Sequence, residues 1–165
     1  MSTFWQPNGP SYVVLQVIAM RIVFVLIASV MLMALASSQG RDVPFQVIDR
    51  GVNSGVKEEG VKVLRTSRAF EEFLESWLGA EKVHKLLKQV NWESEQVVLV
   101  FGGEHPTGGF SVDVKRIVSV DRQRLEIEAK LKRPAPGQMV TQAFTTPYTM
   151  VKMPREIAAI KVKFD

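Results

Sequence analysis

A carboxylate and an imidazole stand side by side at Glu104 and His105, in the stretch Gly102–Gly103–Glu104–His105–Pro106–Thr107–Gly108–Gly109. Asp113 follows at a distance that would let it approach them across a turn. A metal needs three or four ligands in a supported geometry, and one imidazole with two carboxylates in an exposed turn falls short of that. Thr107, Ser111 and Thr141 offer hydroxyls for nucleophilic attack, but no Gly-x-Ser-x-Gly elbow or Ser-x-x-Lys pair accompanies any of them. Glu93 and Glu95 flank Ser94 beside Trp92 and read as solvated carboxylates ahead of a strand. His84 falls on the polar side of a predicted helix, near Glu81 and Lys88. The chain has no cysteine, which excludes a thiol nucleophile, a thiolate metal site, a disulfide and a lipid-modified cysteine. The glycine-rich stretch lacks the Gly-Lys-Ser/Thr of a phosphate loop and does not run into a helix. These residues therefore predict no catalytic site, no cofactor and no metal. The glycines read more simply as turn residues that need positive φ.

The elements that must carry these residues are legible from periodicity. Val97–Phe101 is a continuous apolar run, as in a strand buried on both faces. Phe110, Val112 and Val114 alternate with polar residues, as in a half-buried strand. The two runs with their glycine-rich connection predict a hairpin at the centre of the fold. Leu125, Ile127, Ala129 and Leu131 alternate with Glu126, Glu128, Lys130 and Lys132, after a turn at 121–124. Pro134–Ala135–Pro136–Gly137 breaks that strand. Further strands are expected at 140–146, 148–153 and 157–164, and earlier ones at 45–48 and 61–64. Between these lies a helix. Ser67 offers the N-cap, Phe70, Phe73, Leu74, Trp77 and Leu78 form one stripe, and Gly79 is the stop. A second helical stretch covers 80–89. One helical unit with many strands on short turns predicts an α+β fold with a mainly antiparallel sheet, free to curl toward a barrel or sandwich, and the helices packed on it.

The N-terminal region has a different character. Ile22–Ala36 is almost wholly apolar, Arg21 precedes it, and the small residues Ala34, Ala36 and Ser38 follow at the spacing of a processing site. This pattern predicts an export signal spanning about residues 1–38. Met20, directly before Arg21, is the expected start, with residues 1–19 an upstream extension. The competing reading is a retained membrane anchor over 12–36, which would place Arg21 inside the bilayer at considerable cost. Both readings put residues 40–165 outside the cytoplasm as a single domain, periplasmic or secreted, with membrane contact only through the N-terminal segment if it is uncleaved. The formal net charge is +4. It arises from interspersed charges without a basic block, which disfavours nucleic acid as a partner.

Two stretches carry a resemblance. Gly102–Ser111, with its Pro-Thr-Gly-Gly-aromatic turn, resembles the corresponding turn of the PrcB C-terminal domain family, whose members are protease-complex-associated proteins. The second matching stretch runs from Pro134–Gly137 through Thr141–Gln142 to Pro147–Tyr148. Trp92 and Val97–Phe101 also fit, and the likeness covers roughly residues 61–154. It implies an exported, non-enzymatic accessory domain that binds another extracytoplasmic protein such as a protease. Family members are frequently lipid-anchored, and the chain departs from them in having no cysteine after the apolar run. The resemblance transfers no catalytic residue. The candidate partner-binding residues are Pro106, Thr107, Gly108, Gly109, Phe110, Gln142 and Tyr148, with Tyr148 as the natural anchor if the two motifs meet. The alternative is a small carrier or enzyme with a pocket between helix and sheet.

Overall fold

A computed structural model describes residues 40–165. The expected export signal or anchor, including the proposed start at Met20, lies outside the described residues. Among the described residues no helix is long and apolar enough to cross a membrane.

Gly40–Asp165 form one compact unit. The strands are β1 (Arg41–Asp42), β2 (Gln46–Gly51), β3 (Glu59–Leu64), β4 (Glu95–Gly102), β5 (Ser111–Asp121), β6 (Arg124–Lys132), β7 (Tyr148–Pro154) and β8 (Ala159–Phe164). Helices α1 (Ser67–Leu78) and α2 (Ala80–Leu87) lie between β3 and β4. The strands form two four-stranded sheets, ordered β1-β5-β6-β8 and β2-β7-β4-β3. All pairings are antiparallel except β6 with β8. The fold is α+β, as the periodicity predicts.

The second sheet is covered on both faces. Val98, Val100, Val151 and Met153 face the first sheet and pack with its Val112, Val114, Ile117, Leu125, Ile127 and Ala129. Val97, Leu99, Phe101, Tyr148 and Met150 project the other way, into a core shared with Phe70, Leu74, Val83 and Leu86 of the helices. This explains the unbroken apolar run of β4: successive side chains enter different cores, and both need to be apolar. The first sheet buries one face only, so β5 and β6 alternate.

Helix α1 begins one residue earlier in capping than the sequence suggests. Thr66, in extended backbone, accepts the Ala69 amide on its Oγ1 at 3.2 Å, so Thr66 and not Ser67 is the N-cap. Gly79, at φ +76°, ends α1 and leads directly into α2.

Two strand expectations are corrected. β4 and β5 do not form a hairpin. The edges of β4 are taken by β3 and β7, so after Gly102 the chain crosses to the other sheet and β5 pairs with β1 and β6. The segment expected as a strand at 140–146 is a loop that makes β-bridges at Thr145 and Thr146 alone.

Candidate functional site

Three connections converge at one end of the sandwich: 52–58 after β2, 103–110 after β4, and 133–147 after β6. Backbone hydrogen bonds join them. His105 and Thr145 exchange both of theirs, at 2.8 and 2.9 Å. The Gly108 amide donates to Thr141 O at 2.9 Å, and the Gly102 amide to Pro147 O at 2.8 Å. Glu104 N donates to Lys57 O at 3.0 Å, and Ser54 N to Thr146 O at 2.9 Å. Side chains add to this, with Thr145 Oγ1 donating to Thr107 O at 2.8 Å and Gly55 N to Thr146 Oγ1 at 2.9 Å. Loops usually leave backbone groups to water, whereas here they satisfy one another, which fixes the surface they form.

Glycine has a specific part in this. Gly103 and Gly109 have φ of +76° and +84°, so two of the four turn glycines adopt the expected left-handed backbone. A Cβ on Gly109 would also lie 2.9 Å from both Pro134 and Val140. Close approach of the two motifs thus depends on the absence of a side chain there.

The sequence motifs at 102–111 and 134–148 are therefore adjacent in space. Pro106, Gly109 and Gln142 are exposed, Thr107 and Phe110 are half-buried, and Gly108 is buried. Phe110 stacks on the His105 ring, with centroids 4.0 Å apart and planes at 4°. Tyr148 is a correction. It is 2% exposed and does not join the surface. As the first residue of β7 it shares a face with Met150, toward the helices, where its ring meets Trp77 edge-on at 4.8 Å. Its hydroxyl donates to Asp49 Oδ2 at 2.6 Å, and Lys82 holds the same oxygen at 2.8 Å. Burial and the adjacent carboxylate push the phenol well above its ordinary pKa.

Two surface residues that the sequence reading passed over stand out instead. Met139 is 98% exposed and Phe144 70% exposed. Both lie on the loop 134–147, which contains no charged residue. The signal was available: a charge-free stretch bracketed by prolines. A strand reading hid it.

The acid–base groups have other partners. His105 Nε2 is 2.9 Å from Gly102 O. Glu104 pairs with Lys57 at 3.4 Å. Asp113 is met by three cations, Lys115 at 2.5 Å, Lys132 at 3.1 Å and Arg50 at 3.3 Å. Hydrogen bonds from Lys115 and Lys132 hold its carboxyl below the ordinary range. Glu95 lies at the opposite end, bonded to Asn91 N and Lys152. Among the described residues no group of three or more His, Cys, Asp or Glu could hold a metal ion. The space between the helices and the sheet is filled by Phe70, Leu74, Val83 and Leu86. An open cleft of about 580 Å³ lies on the helices themselves, with Glu71, Glu75, Glu81 and His84 around Val83 and Leu87.

Residues 96–154 match the family model described as PrcB C-terminal. That range runs from β4 through β7 and contains both motif loops. No curated protein and no solved structure matches the chain.

Proposed function

We propose, with the PrcB C-terminal match over residues 96–154 as premise, that this chain is an exported, non-enzymatic accessory protein. Its folded part binds another extracytoplasmic protein, a protease being the kind of partner the family resemblance implies. The observation that carries the reading is the loop end. Two motif loops are locked together by main-chain hydrogen bonds and hold apolar side chains outward on a charge-free stretch. A rigid backbone with exposed Phe, Met and Pro suits recognition, where aromatic residues and Met are enriched and charges are depleted at the centre. It offers no positioned proton donor and acceptor of the kind general acid–base chemistry uses.

The test is recovery of the protein from its native host with its bound proteins, comparing wild type with Gln142→Arg and Phe144→Asp. Both positions are exposed, so both variants should fold. A protein recovered with wild type and lost from both variants supports the reading. Equal recovery in all three removes this surface from consideration, and peptidase or esterase turnover by the purified chain overturns the non-enzymatic role.

A further inference from the structure

The loop that carries Met139 and Phe144 has a cluster of cations on its β5–β6 side. Arg50, Lys115 and Lys132 all reach the single carboxylate of Asp113, and their side chains remain 53%, 47% and 52% exposed. Asp113 itself is 14% exposed. Three cations on one carboxylate leave an excess of two positive charges. Arg133 follows Lys132 directly and makes no ion pair among the described residues. Position ties this cluster to the loop. Lys132 pairs with Ser111 at the end of β6, and Pro134 and Val140 flank Gly109 two residues before Ser111. Of the acidic side chains without ion pairs, Glu71 and Glu75 lie on the helices, and Glu58 and Glu59 lie on the β3 side of the loop end, beside Gly103, where Glu104 pairs with Lys57.

We infer that the loop end takes an acidic protein segment with an apolar centre: its apolar side chains cover Met139 and Phe144, and its carboxylates face Lys132, Arg133 and the exposed nitrogens around Asp113. This rests on the binding role proposed above and adds the chemistry of the partner. The excess charge is placed beside the apolar contact and not beneath it. Its main effect is therefore on encounter and orientation, while the apolar side chains hold the complex. A protein segment, and not a lipid surface, is the occupant because the inference rests on the binding role above.

Methionine methyl groups provide the measurement. The full chain, held in zwitterionic micelles and labelled at methionine methyls, contains exposed Met139 and the buried Met150 and Met153 as internal controls. The probes are two short peptides of matched length, one with Leu-Phe between glutamates and one with Leu-Phe between lysines. The expected result is a saturable shift of Met139 alone, with the acidic peptide only. Raising salt from about 50 to 300 mM should weaken it several-fold, because the Debye length falls below 10 Å. Lys132→Glu with Arg133→Glu should weaken it about ten-fold. An equal response to the lysine peptide, no response to either, or insensitivity to the charge reversal overturns the inference. A response to phosphatidylglycerol vesicles stronger than to the acidic peptide also overturns it, in favour of a lipid surface. Specific recovery of a partner that is lost with Phe144→Asp but unchanged by the charge reversal leaves the binding role standing without this inference.

Discussion

Phe70 and Phe144 show the same side chain in two opposite settings. Phe70, on the inner side of α1, is wholly buried, edge-on to Trp92 at 5.2 Å, and is fixed by the packing of a helix on a sheet. Phe144 is 70% exposed at the loop end, on backbone fixed by hydrogen bonds between loops. In the first region side chains determine where the backbone goes. In the second the backbone determines where side chains go. Stability and recognition should therefore separate, since the first region dominates unfolding and the second determines what can be bound.

Substitution at both phenylalanines would test that separation most strongly. Phe70→Ala leaves a cavity in the helix–sheet core and should cost about 3–5 kcal/mol in denaturant unfolding. A cost below about 1 kcal/mol would mean that the helical layer is not packed as described. Next is Gly109→Val, which forces a β-branched residue to positive φ against Pro134 and Val140. It should cost roughly 1–3 kcal/mol and perturb the Met139 methyl before global unfolding. If it destabilised the protein without moving the loop, backbone control of the loop end would be wrong.

Asp113→Asn tests the charged margin of that end. Its carboxyl is held below the ordinary value of 3.8 by Lys115 and Lys132. A depressed native pKa contributes stability that is complete above the ordinary value and is lost as pH falls through the lowered one. The variant should melt below wild type at pH 6, by about 1 kcal/mol in stability. The difference should close as pH falls through the lowered native value, since protonated Asp and Asn are then alike. A constant gap in thermal melts across that range would assign the loss to packing. The smallest effect on folding is expected from Phe144→Ser, within about 0.5 kcal/mol, together with loss of partner recovery. A large loss of stability here would erase the contrast between the two regions.

The two regions were also unequally legible from sequence. Helix α1 and strands β4, β5 and β6 announce themselves because each buries a regular stripe, and the stripe has a period. Periodicity identifies a strand but not its neighbour. A glycine-rich turn between two strands therefore read as a hairpin, although β4 had no free edge to offer β5. Parallel pairing of β8 with β6 is equally invisible to alternation. At the loop end the apolar residues Met139, Val140 and Phe144 imitated a strand, because composition does not report whether a side chain points inward. Tyr148 misled for the opposite reason. A tyrosine beside a motif looks like an anchor, but its place as the first residue of β7 turns it toward Trp77. That the two motif loops meet was recoverable only as a condition, since it depends on contacts between residues twenty-five or more positions apart.

The entry of the chain at β1 has a practical consequence. Ser119, which pairs with Arg41, is eight residues along β5 from Ser111, about 26 Å at strand rise. Asp165, by contrast, bonds Ala129, three residues before Lys132. A surface-capture assay that grips the protein at β1 would leave the loop end facing the solution. A label or support attached at Asp165 would sit near Lys132 and Arg133 and compete for the approach path. Opposite results from the two attachments, with the same protein and the same analyte, would report which end of the sandwich is being used.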